Sequence, residues 1–127
     1  MNAVAHGIDI VVVARIAQLA SAHGDRFFQR CFTEAERDYA ESGGRRRDEH
    51  LAARFAAKEA VLKALGTGLR EGIAWTDIEV TRAATGEPGI ELHGQAAAAA
   101  TRRGIDRWLL SLSHTDGTAM ASVIGLA

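Results

Sequence analysis

One continuous stretch, from Phe55 to Gly68, constrains the fold more than any other part of this chain. Apolar side chains recur at helical spacing along it, at Phe55, Leu62 and Leu65, which is typical of a helix packed on a core. Gly66 follows the last good helix former, where a left-handed residue is expected to end the helix. The stretch therefore predicts a core helix followed by a glycine turn.

Two charged side chains of this predicted helix lie close to the turn. Glu59 and Lys63 are four residues apart, so one helical turn places them on the same side. The simplest interpretation of the stretch alone is a surface ion pair, which contributes roughly 0.3–0.5 kcal/mol. The alternative is a functional pair, and residues near both ends of the chain bear on that choice.

Length, charge and cysteine content limit the possible classes. The 127 residues fit one domain, 1–127. The net charge of −1 provides no overall field that would favour nucleic acid or a membrane surface. Cys31 is the only cysteine, which excludes an intrachain disulfide and favours a reducing compartment and a buried free thiol. Since the N-terminus lacks signal-peptide features and no apolar run approaches about 20 residues, we expect a cytoplasmic protein.

The first half of the chain is predicted to be mainly helical. The apolar, β-branched run 7–13 predicts a buried strand, and residues 14–23 predict a helix. Thr33 and Glu36 form a capping box, which predicts a helix running to about Ser42. A flexible basic loop is expected at 43–48, before the long helix around 50–65.

The second half is predicted to be mainly strands. We expect strands at 74–80, 90–92, 108–114 and 118–124, turns at 86–89 and 115–117, and a helix over 94–104. The order of elements predicts an α+β fold, with helices packed on a small, mainly antiparallel sheet.

Two carboxylates are candidates for metal binding. Asp9 is the lone acid of the buried strand and therefore needs a partner, and Glu59 lies on the central helix. Hard oxygen ligands of this kind suit Mg²⁺, which takes one or two carboxylates together with phosphate oxygens and water. A buried acid that caps a helix or pairs with an arginine remains the alternative for Asp9.

Other groups are suited to anions. The backbone amides of Gly66, Thr67 and Gly68 could approach a phosphate, although the spacing is not that of a P-loop. Ser113 and His114 end a predicted strand, where neighbouring side chains point to opposite faces, which argues against a Ser–His hydrolase pair. Arginines supply further cations: Arg45, Arg46, Arg47 and Arg54 near the central helix, and Arg15, Arg26 and Arg30 along an edge suited to an acidic protein.

Taken together, these motifs resemble one family closely. The first two motifs are Gly7-Ile8-Asp9-Ile10 with Arg15-Ile16, and Phe32-Thr33-Glu34-x-Glu36. The third runs from Arg54-Phe55 through Lys58-Glu59-Ala60 and Lys63-Ala64 to Gly66-Thr67-Gly68. The last two are Gly86-x-Pro88 and Ser111-x-Ser113-His114. Their order and spacing are similar to those of the holo-[acyl-carrier-protein] synthases, the small 4'-phosphopantetheinyl transferases of bacteria. The resemblance covers nearly the whole chain.

The resemblance implies a fold, a reaction and a site. The fold would be that of the 4'-phosphopantetheinyl transferases, and the reaction would move the phosphopantetheine arm of coenzyme A to a serine of an apo acyl carrier protein, releasing adenosine 3',5'-bisphosphate. Asp9 and Glu59 match the Mg²⁺ ligands, and Lys63 matches the lysine near the pyrophosphate. Glu59 or a metal-bound water would take the serine proton. The groups expected to contact coenzyme A are Arg54, Lys63, Gly66, Thr67, Gly68, Pro88, Ser113 and His114.

The resemblance also implies partners. The small members are homotrimers with sites between subunits, and an acidic carrier would dock on Arg15, with Arg26 and Arg30 beside it. Two positions depart from the family pattern: Glu87 stands where lysine is common, and Val11 stands where larger relatives have a third carboxylate. A non-catalytic module that binds coenzyme A or a carrier is the main alternative. A nucleotide-binding stress-type domain lacks a supporting phosphate loop.

Overall fold

The computed structural model describes all residues 1–127 and has an α+β fold, as the order of elements predicts. No helix has both the length and the apolar character needed to cross a membrane. The elements in chain order are β1 (Ala3–Val12), α1 (Val13–His23), α2 (Asp25–Cys31), α3 (Glu34–Ser42), α4 (Arg47–Leu65), β2 (Ile78–Arg82), β3 (Pro88–Leu92), α5 (Gly94–Arg102), β4 (Arg107–Thr115) and β5 (Thr118–Leu126). Short 3-10 turns occupy Gly44–Arg46 and Trp75–Asp77.

Both sheets are antiparallel. β1, β5 and β4 form a three-stranded sheet in that order, and β2 pairs with β3. In the larger sheet Asp9 lies opposite Ala121, which lies opposite Leu112 on β4. One face of this sheet packs on α4, and the other face is exposed.

Helix α4 lies unusually close to β1 because both contact surfaces are made of small residues. A Cβ atom added to Gly7 would overlap the carbonyl oxygen of Ala60 and lie 2.9 Å from its carbonyl carbon. The buried side of α4 includes five alanines, Ala52, Ala53, Ala56, Ala57 and Ala60. The high alanine content of this helix thus allows its backbone to approach the sheet.

A fully buried ion pair connects α4 to α3 and β2. Lys58 donates hydrogen bonds to Glu36 Oε1 at 2.8 Å and to the carbonyl oxygens of Trp75 (3.1 Å) and Ile78. Glu36 also accepts from the amides of Thr33 and Val80, both at 2.8 Å. All three ammonium donors therefore have acceptors, which is what a buried charge requires.

The structure corrects three local predictions. The strand predicted to be buried over 7–13 runs from Ala3 to Val12 and has one exposed face, which carries Ile8, Ile10 and Val12. The predicted flexible loop at 43–48 contains a 3-10 turn, and α4 begins at Arg47. The predicted strand at 74–80 begins only at Ile78. Trp75 lies in a 3-10 turn because its carbonyl oxygen accepts from Lys58 and its ring packs on Phe55, with centroids 4.8 Å apart.

The helix caps and the final hairpin follow the predictions. The Thr33–Glu36 capping box is formed, and Gly66 ends α4 with φ +75°. Asp116 and Gly117, both with positive φ, connect β4 to β5, as expected for a two-residue hairpin turn. Cys31 is buried, and burial raises the pKa of its thiol.

The contact between β1 and α4 leads to a test of stability. Gly7→Ala should lower the free energy of unfolding by about 1–3 kcal/mol, because the new methyl group must displace helix backbone. Urea unfolding followed by circular dichroism measures this change. Ala14→Ser, which adds one atom at an exposed position of α1, should change stability little. Equal stability of the two variants would contradict the close contact.

Candidate active site

Three residues that the sequence singled out lie close together where α4 crosses β1. Lys63 Nζ lies 3.0 Å from Asp9 Oδ1 and 3.0 Å from the carbonyl oxygen of Ile8. The Asp9 carboxylate is mostly buried, whereas the Lys63 ammonium is exposed. Asp9, and not Glu59, is therefore the ion-pair partner of Lys63, so the simple i, i+4 surface pair is not what the structure contains.

Glu59 is half-buried beside this pair. Burial raises the pKa of its carboxyl group, and the negative charge of Asp9 raises it further, while Lys63 and Arg15 act in the opposite direction. Two carboxylates thus share one site, flanked by two cations. Arg15, in the first turn of α1, is close enough to Glu59 for its positive charge to lower the pKa of the Glu59 carboxyl group.

The donor set of this site fits a hard divalent cation. Two carboxylates that repel each other, one of them with a raised pKa, gain from a positive charge placed between them. Oxygen ligands are those that Mg²⁺ prefers. Val11, on the same face of β1, is buried and offers no third carboxylate.

A second group of possible metal ligands lies elsewhere. The side chains of Glu79, Glu91 and His93 converge on the β2–β3 hairpin. Glu79 already accepts from Thr33 at 2.7 Å and lies 3.1 Å from His93 Nε2. These contacts give Glu79 and His93 partners within the protein.

The glycine turn offers one free amide. The amides of Gly66 and Thr67 both donate to the carbonyl oxygen of Leu62, at 3.0 and 3.3 Å, and so complete the helix cap. The Thr67 hydroxyl donates to the carbonyl oxygen of Gly68 at 2.7 Å. Of the three amides in the turn, only that of Gly68 donates to no acceptor in the protein. The anion-binding capacity predicted for this turn therefore depends on Gly68.

His114 lies at the opposite end of α4 from Glu59. Its Nδ1 atom is 2.7 Å from Glu49 Oε1, in the first turn of the helix. Glu49 and Glu59 are ten residues apart, about 15 Å along the helix axis. Ser113 precedes His114 on β4 and points to the opposite, exposed face of the sheet. Within one chain, therefore, His114 and Glu59 lie far apart.

Arg54 lies inside α4, within the range predicted for the central helix, and is almost fully buried. Its guanidinium lies 4.2 Å from the ring centroid of Tyr39, and Nη1 donates to the carbonyl oxygen of His50 at 3.3 Å. Nε has no partner. Burial lowers the pKa of this guanidinium. Arg82 lies against the same Tyr39 ring, and these three residues line a cavity of about 290 Å³.

Pro88 opens β3 and borders a groove of about 390 Å³ between β3 and β4. Arg82 and Arg107 line this groove, as does Glu87, the acid that departs from the family pattern. Sequence reasoning missed both arginines, although Arg82 is the antiparallel partner of Pro88 in the β2–β3 hairpin; Arg107 lies on β4, remote from that motif in the sequence. The structure therefore supplies cations near the position where Glu87 replaces lysine.

Arg15, Arg26 and Arg30 are exposed on α1 and α2. Arg26 and Arg30 border a cavity of about 840 Å³. Its lining also includes apolar side chains, namely Leu19, Phe27, Phe55 and Trp75. The helical surface thus combines positive charge with an apolar groove.

Sequence reasoning also missed Lys58 and Glu49. Lys58 lies three and four residues before the buried Val61 and Leu62, so its place on the apolar side of the helix was a signal that it would be buried. Glu49 gave no local signal, because its contact with His114 joins residues distant in the sequence.

Comparison with known proteins identifies the family of this chain. The profile described as the 4'-phosphopantetheinyl transferase superfamily matches residues 5–119. The chain belongs to this superfamily. It is 52% identical over 118 residues to the holo-[acyl-carrier-protein] synthase of Koribacter versatilis (strain Ellin345), covering 93% of this chain and 94% of the relative.

Solved structures agree over the whole fold. The crystal structure of the holo-[acyl-carrier-protein] synthase from Neisseria meningitidis has a TM-score of 0.89 and 32% identity, covering 99% of this chain and 100% of that chain. The Helicobacter pylori holo-[acyl-carrier-protein] synthase in complex with coenzyme A has a TM-score of 0.83 and 28% identity, covering 95% and 99%. The family and fold inferred from the motifs are therefore confirmed.

The raised pKa of Glu59 leads to a prediction for the metal-free protein. Because the pKa of Glu59 is raised, its ionised form is less favourable in the folded protein than in the unfolded chain. Glu59→Gln removes this charge and should therefore raise the melting temperature at neutral pH. The gain should shrink as the pH falls through the raised folded-state pKa, and it should vanish below the unfolded-state pKa, where both states carry a proton.

Thermal unfolding in the presence of a chelator, at several pH values, measures this effect. Glu34→Gln, at an exposed position, is the matched control. A gain for Glu59→Gln that stays constant down to acid pH would show that charge at Glu59 is not the cause.

Proposed function

We propose that this protein is a holo-[acyl-carrier-protein] synthase and that residues 1–127 form one transferase domain. It would transfer 4'-phosphopantetheine from coenzyme A to a serine of an apo acyl carrier protein and release adenosine 3',5'-bisphosphate. The observation that carries the proposal is the cluster of Asp9, Glu59 and Lys63 at the crossing of β1 and α4. The activity named for the relatives, one of them bound to coenzyme A, supports it.

The chemistry requires positioning and charge neutralisation more than covalent participation by the protein. The serine hydroxyl forms a bond to the β-phosphorus, and the bond from that phosphorus to the bridging oxygen breaks. Lys63 neutralises charge on the departing phosphate. Glu59 is the proton acceptor that the chain itself offers for the serine hydroxyl. Mg²⁺, held by Asp9 and Glu59, would polarise the β-phosphate when bound.

Other groups of the chain are assigned to coenzyme A. Gly68 offers its free amide beside the end of α4, in the turn with Gly66 and Thr67. The buried Arg54 and the groove beside Pro88 offer guanidinium groups for the remaining phosphates. Because phosphates prefer arginine, this distribution suits the nucleotide end of the substrate.

We assign the exposed face of the larger sheet to contacts within a homotrimer. The outward side chains include Ile8, Ile10 and Val12 on β1, Leu109 on β4, and Met120 and Ile124 on β5. An exposed apolar face of this size is typical of a protein interface. Ser113 lies on that face and His114 next to it, far along α4 from Glu59. Assembly would bring this edge to the Asp9–Glu59 site of a neighbouring copy.

We assign the surface of Arg15, Arg26 and Arg30 to the carrier protein. Arg15 is close enough to Glu59 to influence the pKa of its carboxyl group, so a partner bound there would lie beside the reacting groups. The adjoining apolar groove supplies contact area. Positive charge of this kind mainly raises the rate of association with an acidic partner.

A mass assay tests the proposed reaction. Incubation of the protein with coenzyme A, Mg²⁺ and an apo acyl carrier protein should add the mass of one phosphopantetheine to the carrier. Asp9→Ala and Glu59→Ala should abolish transfer, and Lys63→Ala should slow it, because each removes a charge from the reacting centre. Glu34→Ala, a change at an exposed position of α3, should transfer at the wild-type rate.

The folded state of each variant is checked by circular dichroism. Full transfer by folded Glu59→Ala would falsify the catalytic assignment. Binding of coenzyme A and carrier without any mass gain by the wild type would instead indicate the non-catalytic module.

Steady-state kinetics tests the docking surface. Arg15→Glu should raise the KM for the carrier by about tenfold and leave the KM for coenzyme A nearly unchanged, because it repels an acidic partner. The effect should weaken with added salt. Arg37→Glu, the same reversal on α3, should leave both constants near wild type. An unchanged carrier KM for Arg15→Glu would remove the docking role.

Sedimentation equilibrium tests the trimer. The wild type should have three times the mass of one chain, and Ile10→Lys should reduce the mass to that of a single chain, because it places a charge in the apolar interface. Gln95→Lys, on the exposed side of α5, should remain trimeric. A monomeric wild type at the concentrations used for the transfer assay would contradict the shared site.

A further inference from the structure

The loop that follows α4 contains an unusual residue for its backbone conformation. Arg70 and Ile73 close a turn, in which the amide of Ile73 donates to the carbonyl oxygen of Arg70 at 3.0 Å. The two central residues both have positive φ, +59° for Glu71 and +79° for Gly72. Positive φ at both central positions is the arrangement of a type I' turn, which favours Gly, Asn and Asp. A glutamate there is conformationally unfavourable, so its side chain needs a compensating role.

The side chain of Glu71 bridges Arg102, the last residue of α5, and Arg103, which follows it. Arg102 Nη2 donates to Glu71 Oε1 at 2.7 Å, and Arg103 Nη2 donates to Glu71 Oε2 at 3.3 Å. Arg103 also donates through Nη1 to the carbonyl oxygen of Ala99 at 3.2 Å, which fixes it to the end of α5. The hydrogen bond from Arg102, with the neighbouring charge of Arg103, holds the pKa of Glu71 below its usual range. Both carboxylate oxygens are therefore occupied by the same short segment of the chain.

These two contacts, called the Glu71 clamp below, join the loop to the C-terminal end of α5. Glu71 lies three residues after Gly68. Gly68 is itself left-handed, with φ +58°, and its carbonyl oxygen accepts from the amide of Arg70 at 3.0 Å. Thr67 anchors one side of Gly68, because Thr67 is buried and its hydroxyl donates to the Gly68 carbonyl oxygen, whereas Leu69, on the side toward Glu71, is exposed. Fixing Glu71 therefore restricts the only amide of the glycine turn that is free to bind an anion.

We propose that Glu71 is a positioning residue for coenzyme A, which by bridging Arg102 and Arg103 holds the Gly66–Gly72 loop in the conformation that presents the Gly68 amide to a phosphate. The proposal rests on the proposed function. Exposed ion pairs contribute little to overall stability. We therefore expect the loss of the Glu71 ion pairs to change the order of the loop and the affinity for coenzyme A, and to leave the stability of the protein nearly unchanged. Three variants separate the contributions: Glu71→Gln removes the charge, Glu71→Gly also relieves the positive φ, and Arg102→Gln/Arg103→Gln removes the Glu71 clamp from the other side.

Two measurements test this role. The first is hydrogen exchange of the amides from Gly68 to Ile73 in the substrate-free protein, together with calorimetric titration of coenzyme A. All three variants should exchange these amides faster and bind coenzyme A at least about threefold more weakly, with melting temperatures near wild type. The second is steady-state kinetics, in which the KM for coenzyme A should rise and kcat and the carrier KM should stay within twofold of wild type.

Reversing the charges of Glu71 and of both arginines tests whether the ion pairs themselves are needed. Glu71→Arg alone should weaken coenzyme A binding, and Glu71→Arg combined with Arg102→Glu and Arg103→Glu should restore much of it. Glu41→Gln, at an exposed position of α3, is the matched control and should behave as the wild type.

Failure of the role proposed for Glu71 can be distinguished from failure of the proposed function. Unchanged coenzyme A affinity in Glu71→Gln and Glu71→Gly would overturn the proposal, as would an effect confined to the carrier KM or a fall in melting temperature without a change in affinity. If the wild type bound coenzyme A but did not transfer phosphopantetheine, the proposed function would fail, whereas the exchange and titration data would still decide whether Glu71 positions the loop.

Discussion

The close packing of α4 on β1 is the contact on which the rest of the structure depends. Gly7 and Ala60 approach so closely that even one methyl group on Gly7 would meet helix backbone. Interiors are packed densely enough that such a contact fixes the position of both elements. As a result Asp9, two residues after Gly7, lies beside Lys63, and Glu59 lies beside both. The small side chains at this contact thus bring the three candidate site residues together, although they bury less apolar area than bulkier side chains would.

The buried Lys58–Glu36 pair adds a second constraint. Since Lys58 contacts Glu36, Trp75 and Ile78 on the side of α4 away from β1, the helix cannot rotate without breaking hydrogen bonds of a buried charge. Its neighbour Glu59 is held half-buried next to Asp9 as a consequence. Replacing one partner of such a pair leaves the other charged and buried. We therefore infer that Lys58 helps to hold Glu59 in position, although Lys58 itself does not line the candidate site.

Much of the local structure could be predicted from the sequence because its causes are local. The capping box at Thr33 and the left-handed end of α4 at Gly66 depend on residues within one turn. The predicted start of the strand at 74–80 was wrong because the conformation around Trp75 depends on Lys58, a residue on another element. The burial of Arg54 also depends on another element, because Tyr39, on α3, packs against its guanidinium.

The same division applies to the site. The sequence by itself determined which side chains were available, namely the acid in an apolar strand at Asp9, the i, i+4 pair of Glu59 and Lys63, and the glycines after them. Only the tertiary structure decided that Lys63 pairs with Asp9, 54 residues away, and that Glu49 contacts His114. Local spacing specifies which groups share a face of one helix or strand. Partners on different elements depend on how closely those elements pack, which in this protein is set by the contact between Gly7 and Ala60.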